Sequence, residues 1–453
     1  MTRHATDIQI RDVSFEYEDY LYRVPIKFGG MVLDRVTLLN VWVEVETNSG
    51  QVARGFGSMP LGNVWSFPSR VLRYDQTLGA MKSLAEKLQR LFAAWDEPGH
   101  PLDIFHALEP SILAAAREVS AERQLAEPMP TLAALVVASP FDAAVHDAFG
   151  KVHGRSSYQT YGRDFVHHDL GHYLGTEFAG QWLDEWISPE PKPHLPLYHL
   201  VGALDPITDA DVTQRVSDGL PETLPEWIRA NGLTHLKIKL NGDDLRWDVE
   251  RVLTIDRVTA EVQRERGVGQ WWYSLDFNER CGHVGYLLEF LAKVRQGSPE
   301  GFERIQYIEQ PTARDLAAHR HNVMHEAARL KPIVIDESLT DLHSLRLAQE
   351  LGYTGAALKA CKGQSASLLL AAAARMSGMF LCVQDLTCPG ASLIHSAGLA
   401  AHIPGVAAIE ANARQYCPAA NAPWRDRFPG IFQVTDGLLR TGDLTGPGLG
   451  AVP

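Results

Sequence analysis

The sequence predicts an α/β protein in which a modified parallel (β/α)8 barrel is covered by an N-terminal α+β domain. Eight short apolar runs lie between residues 197 and 410, and each has the length of a buried strand. Helical patterns separate them, so that consecutive strand ends lie between 23 residues apart (Asp336 to Lys359) and 37 residues apart (Lys239 to Asp276). A strand and a helix repeated at this spacing are what a closed parallel barrel requires. A doubly wound open sheet is the competing architecture.

The first 150 residues mix strand and helix patterns and are predicted to form the capping domain. Residues 8–17 and 34–47 are typical of strands, and Asn48-Ser49-Gly50 supplies a turn towards a hairpin partner at 52–57. Helical patterns follow, at residues 70–95, 110–123 and 140–154.

Residues 151–414 are predicted to form the barrel, and residues 415–453 to return to the capping domain. Residues 162–196 are rich in His, Gly and Pro and lack a periodic pattern, which predicts a loop or insertion. Within it, His168 and His172 are four residues apart, a spacing that suits a metal on a helix. The residues Asp-Leu-Gly between them favour a loop, so we expect structural or surface roles for both.

Composition and charge exclude several classes of function. The 42 Lys and Arg against 55 Asp and Glu give a net charge of −13, which disfavours binding to nucleic acid or anionic membranes. The most apolar stretch, residues 368–383, is too short to span a bilayer, so no transmembrane segment is expected. Five cysteines form no C-x-x-C pair and indicate reduced thiols. We therefore expect a cytoplasmic homo-oligomer whose partner is a small molecule.

Ionisable residues end five consecutive predicted strands, although the strands of a parallel sheet should be apolar. They are Lys237 with Lys239, then Asp276, Glu309, Asp336 with Glu337, and Lys359. Each alone would be explained by a helix cap or a surface charge. Their common position in successive strands favours one site instead, because barrel enzymes place catalytic groups at the carboxyl ends of strands.

The carboxylates among these residues predict a divalent metal site. Asp276, Glu309 and Asp336 come from adjacent strands and supply the hard oxygen ligands that Mg²⁺ prefers, with Mn²⁺ as the alternative ion. Glu337 is the alternative third ligand, because neighbouring residues on a strand point to opposite faces. Such a cation acts as a Lewis acid on a substrate carboxylate and stabilises the enediolate formed when the α-proton leaves.

The two lysines predict the acid and the base of this chemistry. Lys239 and Lys359 follow strands two and six, which lie on opposite sides of an eight-stranded ring. One lysine would therefore reach each face of the substrate carbon, provided that neighbouring charges and burial make a neutral amine accessible. Asp385 and Glu410 end the last two strands and are expected to face the substrate.

This ordered set of residues resembles the enolase superfamily, specifically the mandelate racemase/muconate-lactonizing enzyme family and most closely its muconate-lactonizing-enzyme-like subgroup. The matching motifs are LKIKL, SLDFNE, YIEQP, VIDES and ALKACKG. The resemblance implies a modified TIM barrel under an α+β capping domain. It also implies Mg²⁺ on Asp276, Glu309 and Asp336, with Lys239 and Lys359 as the acid/base pair.

The resemblance further implies that Lys237 polarises the substrate carboxylate, and Asn278 of the motif SLDFNE is predicted to bind substrate. The sequence departs from the family at two places. Gly363-Gln364 stands where two glycines are usual, and Gln384-Asp385 stands where mandelate-racemase-like members have a catalytic histidine.

The leading functional prediction is an enzyme that removes the proton α to a carboxylate, either a racemase or epimerase, or a cycloisomerase, of a small carboxylic acid. A dehydratase (a lyase) acting on an acid sugar or hydroxy acid is the alternative reaction. A barrel that binds a ligand without turnover is the alternative of another class. Two glycine-bearing loops, residues 22–30 and 55–63, are predicted to cover the barrel mouth, where Lys27 would meet a distal anionic group of the substrate.

Overall fold

The computed structural model describes residues 4–28 and 30–450. Within those residues the strands are β1 Ile8–Phe28, β2 Met31–Thr47, β3 Val52–Pro60, β4 His194–Val201, β5 His235–Lys239, β6 Trp272–Asp276, β7 Ile305–Glu309, β8 Ile333–Ile335, β9 Gly355–Leu358, β10 Phe380–Val383, β11 Val406–Glu410 and β12 Leu438–Arg440. The helices are α1 Asn63–Ser66, α2 Tyr74–Ala93, α3 Pro101–Glu122, α4 Thr131–Val152, α5 Leu170–Leu174, α6 Leu224–Asn231, α7 Leu245–Glu265, α8 Val284–Gly297, α9 Pro299–Glu303, α10 His325–Leu330, α11 Leu342–Glu350, α12 Gln364–Met376, α13 Ala391–His402, α14 Ala413–Tyr416, α15 Pro418–Arg425 and α16 Pro429–Phe432.

The eight predicted barrel strands, β4 to β11, form a closed parallel ring. Each strand pairs with the next, and β11 pairs with β4 through Ile409 with Leu197 and Glu410 with Tyr198. This closing pair excludes the open doubly wound sheet and confirms the predicted barrel. The inside of the ring is filled by a separate cluster of buried residues from six of its strands, namely Tyr198, Tyr307, Val334, Ala357, Cys382 and Ala408.

The N-terminal sheet is a three-stranded antiparallel meander, β1-β2-β3, that packs on α4 and α2, and α3 packs against these two helices. It confirms the predicted hairpin and its turn at residues 48–50. Helix α4 is buried along most of its length, with Val136, Phe141 and Ala144 fully shielded from solvent. It is the core on which the cap is assembled. The predicted boundaries at residues 150 and 414 stay predictions.

Helix α4 bears on the expectation that no segment spans a membrane. Its 22 residues have a mean hydropathy of 1.3 over the most apolar window, so among the described residues it alone is long and apolar enough to cross a membrane. All of that window is buried inside the protein, and a core helix passes the same test of length and composition. The cytoplasmic location and the homo-oligomer stay predictions.

The described residues of the two predicted mouth loops lie largely in strands, so the expectation of loop conformation was wrong. Strand β1 continues to Phe28 and pairs with β2 as far as Phe28 with Met31, so residues 22–28 belong to a long hairpin. Strand β3 includes Gly55 and Gly57. Helix α4 packs closely against the strand at both glycines. A Cβ on Gly57 would stand 2.0 Å from the carbonyl oxygen of Pro140, so glycine here permits a close approach of backbones.

The predicted insertion at residues 162–196 is mostly irregular, with short helical turns. Helix α5 lies within it, and the turns Thr176–Phe178 and Leu183–Glu185 are 3₁₀. Its apolar side chains, including Leu170, Phe178 and Ile187, are buried. The segment is therefore packed onto the rest of the protein, and its C-terminal end already belongs to β4.

The close approach of α4 to β3 predicts that Gly57→Ala lowers the free energy of unfolding by about 1–3 kcal/mol, because neither backbone can move away from the added methyl group cheaply. Urea unfolding followed by circular dichroism measures this change. Gly269→Ala is the matched control, since no heavy atom lies within 4 Å of its Cβ position. Equal effects of the two substitutions would contradict this account of β3.

Candidate active site at the barrel mouth

The ionisable residues predicted at the strand ends, with the exception of Glu337, line one narrow cavity at the carboxyl ends of the barrel strands. We call it the mouth cavity; its lining is Trp65, Lys237, Lys239, Asp276, Asn278, Glu309, Asp336, Lys359, Asp385, Leu386 and Glu410. The strand register brings several of them side by side, with Lys239 opposite Asp276 and Asp276 opposite Glu309. Each of the lysines and acids in this set is at most 4% exposed.

Lys237 lies at the centre of three carboxylates. Its Nζ is 2.7 Å from Oε2 of Glu410, 2.8 Å from Oε2 of Glu309 and 3.1 Å from Oδ2 of Asp276. Burial alone would lower the pKa of Lys237, but the three carboxylates raise it well above its ordinary value. Lys237 is therefore a fixed cation around which these acids are arranged.

Lys239 extends from the same face of β5 and bonds to Oδ2 of Asp276. Burial opposes ionisation of Asp276, yet the two lysines of β5 lower its pKa well below the ordinary value. The backbone N–H of Asn278 donates to Oδ1 of the same carboxylate, at 2.8 Å. This acid is thus held ionised and oriented from both sides.

Glu309 is an acid whose ionisation is opposed by burial. Its buried carboxylate lies among other acids, and burial and the nearby Asp276 raise its pKa well above the ordinary value. Gln384, the residue that follows β10, donates through Nε2 to Glu309 and also to Oη of Tyr307, at 3.2 Å. Gln384 is therefore a positioning residue for Glu309, a role that the sequence analysis did not assign.

Asp336 is held by two lysines from the segment after β9. Nζ of Lys359 lies 2.9 Å from Oδ2, and Nζ of Lys362 lies 3.2 Å from Oδ1. Burial alone would raise the pKa of Asp336, but these two ammonium groups lower it to about 2. In return, Asp336 outweighs burial and raises the pKa of Lys359 above its ordinary value. Lys362 was part of the predicted motif, but its pairing with Asp336 was not foreseen.

Glu337 points away from the mouth cavity, as adjacent strand-end residues should. Its Oε1 accepts from Nε1 of Trp65 at 3.1 Å and from Nδ2 of Asn278 at 3.4 Å, while Oε2 is buried without a hydrogen-bond partner among the described residues. Burial, together with the neighbouring Asp336, raises the pKa of Glu337 to about 8. Of the two alternative third ligands, only Asp336 shares the cavity of Asp276.

Trp65 is a site residue that the sequence analysis missed. It belongs to α1 of the N-terminal region, and its ring lies 4.5 Å from Nζ of Lys359. The available signal was a tryptophan directly after the segment predicted to cover the mouth. The periodicity of so short a helix could not show which way the ring points. Trp65 is the residue through which the N-terminal region closes the mouth cavity.

Asp385 and Glu410 line the mouth cavity, and their contact with substrate stays a prediction. Glu410 binds Lys237, and the backbone oxygen of Asp385 accepts from Nζ of Lys359 at 3.4 Å. Burial and the nearby Glu410 raise the pKa of Asp385 to about 7. Oδ1 of Asp385 is buried without a hydrogen-bond partner among the described residues, so it can serve a substrate group.

A second, larger cavity of about 620 Å³ adjoins the mouth cavity and shares Trp65 and Asn278 with it. We call it the cap cavity; its charged lining residues are Arg70, Glu127, Glu279, Arg280, Arg314 and Glu337. Lys27 lies at a third, smaller opening together with Lys239 and Asn278. Lys27 is thus close to the predicted site, whereas the nearby Arg23 is taken up by an ion pair with Asp218.

The donor set of the mouth cavity fits a hard divalent cation such as Mg²⁺, because Asp276, Glu309 and Asp336 supply carboxylates from three neighbouring strands. In the part of the chain described, these three acids do not form a group with ligand atoms within 4.8 Å of one another. Each is turned towards a lysine instead. Their role as metal ligands stays a prediction.

The comparison that decides the family is a sequence match. The family model described as enolase C-terminal domain-like matches residues 220–453, more than half of the chain. The protein belongs to the enolase superfamily. The motifs had predicted this membership, and the match places the protein among the enzymes of that superfamily. A search of curated proteins gave no match.

Solved structures with the same fold are enolase-superfamily enzymes. A dipeptide epimerase from Enterococcus faecalis V583, complexed with Mg and L-Leu-L-Tyr, is 16% identical, with a TM-score of 0.63 over 98% of this chain and 99% of that one. A muconate lactonizing enzyme from Pseudomonas fluorescens is 17% identical, with a TM-score of 0.61 over 99% and 97%. An N-succinyl Arg/Lys racemase from Bacillus cereus is 16% identical, with a TM-score of 0.60 over 98% and 95%. At these identities the likeness is one of fold.

The raised pKa of Glu337 predicts a pH-dependent difference in stability between wild type and Glu337→Gln. The unfolded chain loses this proton near pH 4.5, whereas the folded protein keeps it up to about pH 8. Between those values the folded state binds more protons, so the stability of the wild type should fall relative to the variant as pH rises. Urea unfolding of chelator-treated protein across this range measures it. Glu261→Gln, at an exposed glutamate of α7, controls for the loss of one carboxyl group, and a constant difference for Glu337→Gln would refute the assignment.

Proposed function

We propose that the protein is a racemase or epimerase that abstracts the proton α to a substrate carboxylate and returns a proton to the opposite face. One observation carries this proposal. Lys239 ends β5 and Lys359 follows β9, and these strands are four apart in either direction around the closed ring. Both ammonium groups open into the same narrow cavity. Two proton-transfer groups on opposite sides of one substrate carbon are what inversion at that carbon requires.

Each of the three lysines has a distinct role in this proposed reaction. In one direction Lys239, as a neutral amine, takes the α-proton, and Lys359, held as an ammonium by Asp336, delivers a proton to the other face. The opposite enantiomer uses the lysines in reverse. Lys237 stays charged and offers a fixed positive group to the substrate carboxylate. The burial of all three lysines excludes water, which strengthens these electrostatic interactions.

The cofactor in this proposal is Mg²⁺, with Mn²⁺ as the alternative, held by Asp276, Glu309 and Asp336. When bound, the cation supplies Lewis acidity to the substrate carboxylate and stabilises the negative charge of the enediolate. The support is the chemistry of the donor set and the Mg found in the dipeptide epimerase of the same fold.

The substrate proposed is an amino-acid derivative with a polar extension, such as a dipeptide or an N-acylated amino acid. The mouth cavity has a volume of only about 10 Å³, so most of the substrate must lie outside it. The adjoining cap cavity has the volume of a typical ligand pocket and is lined by both arginines and glutamates. Neighbours of the same fold include a dipeptide epimerase and an N-succinyl amino-acid racemase, which fits this choice.

A dehydratase is the second candidate, and Asp385 favours it. With a pKa of about 7 and a free buried oxygen, this acid could protonate a departing β-hydroxyl group. A cycloisomerase would need only one of the two lysines as a proton-transfer group. The three reactions differ in the fate of the α-proton, which an exchange experiment reads directly.

The opposed lysines predict that Lys239→Ala and Lys359→Ala each lower turnover by at least about 10²–10⁴-fold, the usual contribution of a general acid or base. Each variant of a racemase should still exchange the α-proton of one enantiomer with deuterium from solvent, since the remaining lysine reaches one face. Mass spectrometry on a panel of dipeptides and N-acyl amino acids measures the exchange. Lys293→Ala, at a half-exposed lysine of α8, is the control.

Two other results would change the assignment. A single lysine variant that exchanges the sole substrate, while the other does not, would favour a dehydratase or cycloisomerase. Normal turnover by Lys239→Ala would remove the proposed proton-transfer group and the mechanism with it.

The metal assignment predicts that a chelator abolishes turnover and that Mg²⁺ or Mn²⁺ restores it. Asp336→Asn should raise the Mg²⁺ concentration needed for half of its own maximal rate by at least about tenfold, because a charged ligand is lost. Glu337→Gln should leave that concentration within a few-fold, whatever its maximal rate. The reverse order would make Glu337 the third ligand, and turnover that resists the chelator would rule out the metal altogether.

A further inference from the structure

A group of metal-ligand side chains lies outside the barrel mouth, where helix α3 meets the segment that precedes the barrel. Asp103 comes from the first turn of α3, His172 from the short helix α5, and His168 from the chain just before α5. Each offers one ligand atom, and these atoms all lie within 4.8 Å of one another. In the part of the chain that the structure describes, no other three His, Cys, Asp or Glu residues meet in this way.

The carboxylate of Asp103 belongs to this group, and one of its two oxygens has no hydrogen-bond partner among the described residues. Its Oδ1 accepts a hydrogen bond from Oη of Tyr173 at 2.5 Å, so the residue after His172 fixes the carboxylate. Its Oδ2 is shielded from solvent and has no hydrogen-bond partner among the described residues. A buried, unsatisfied carboxylate oxygen is costly, and a cation bound there would remove that cost.

The imidazole rings lie close enough to share an ion. The rings of His168 and His172 have centroids 3.9 Å apart and are inclined by 19°. His106, one turn after Asp103 on α3, has its ring centroid 5.3 Å from that of His172. His172 is exposed, so an ion can enter from solvent. Two imidazoles and one carboxylate suit Zn²⁺ and similar first-row transition metals, whereas Mg²⁺ and Ca²⁺ prefer oxygen ligands alone.

We propose that Asp103, His168 and His172 bind one transition-metal ion, Zn²⁺ in the first place, with the fourth position open to water beside His106. The site is independent of the reaction at the barrel mouth. It joins α3 of the N-terminal region to the segment at residues 162–193, which has little regular structure of its own. Metal binding therefore fixes this segment to α3 and increases the free energy of unfolding of the protein.

Equilibrium dialysis of the tag-free, full-length enzyme against Zn²⁺ tests the site, with Mg²⁺ in large excess to occupy the acids of the barrel mouth. The wild type should retain one Zn²⁺ more per chain than His168→Ala/His172→Ala. Asp103→Asn keeps the shape of the side chain but removes the charge of a ligand, and should weaken Zn²⁺ binding by at least about tenfold, since even a residue that only hydrogen-bonds to a ligand contributes about that much. Zn²⁺ should raise the melting temperature of the wild type but not of the double variant.

The matched control is His319→Ala/His321→Ala, which removes two histidines from another surface whose rings are 6.0 Å apart. This control should bind Zn²⁺ as the wild type does. The proposal fails if the wild type retains no Zn²⁺ beyond that bound at the barrel mouth, or if the His168/His172 variant retains as much as the control. Circular dichroism verifies that each variant is folded, and Asp103→Asn gives an independent answer should the double variant not be.

Discussion

The structure of the barrel mouth depends on one buried ammonium group. Lys237 is surrounded by acids from β6, β7 and β11, so a single cation connects three strands that lie on both sides of β5. Taking this many charges out of water is costly unless each is paired, and the same arrangement that pairs them also sets their protonation. Removing the cation would leave three carboxylates in one small space. The positions of two proposed metal ligands, Asp276 and Glu309, therefore depend on Lys237, whereas Asp336 is held by Lys359 and Lys362.

The second constraint is the way in which the N-terminal region is attached. Helix α4 lies so close to β3 that only glycine fits at the two points of contact, and this fixes the sheet from which the chain continues into α1. From α1, Trp65 reaches the barrel and bonds to Glu337. The close packing of α4 on β3 is thus connected, through the short helix α1, to the hydrogen bonding of Glu337 beside the mouth cavity. Neither contact involves residues that are near one another in sequence.

The sequence was sufficient for the barrel and for the ionisable residues at its mouth, though not for Trp65, because period and polarity are local signals. Each strand end could be recognised from an apolar run that stops at a charge, and the ring then brings those ends together. The strand was predicted over residues 52–57, but its continuation to Pro60 was not, since its two glycines favoured a loop from residue 55 onwards and only the approach of α4 explains them. The partners of Asp336 were equally hidden: two lysines in one motif gave no indication that both face the same acid. Asp103 and His172 lie 69 residues apart, so their proximity could not be inferred from spacing.

Trp65 links access to the mouth cavity with the protonation of the residues around it. One face of its indole covers Lys359, and its N–H is bonded to Glu337, 272 residues further along the chain. If α1 moves away, the lysine loses its aromatic neighbour and the carboxyl group meets water in the same event. Opening the mouth cavity at α1 and changing the pKa of these residues are therefore the same event. A substitution in the N-terminal region that loosens the packing of α1 should shift the pH dependence of activity, although it contacts none of the barrel residues.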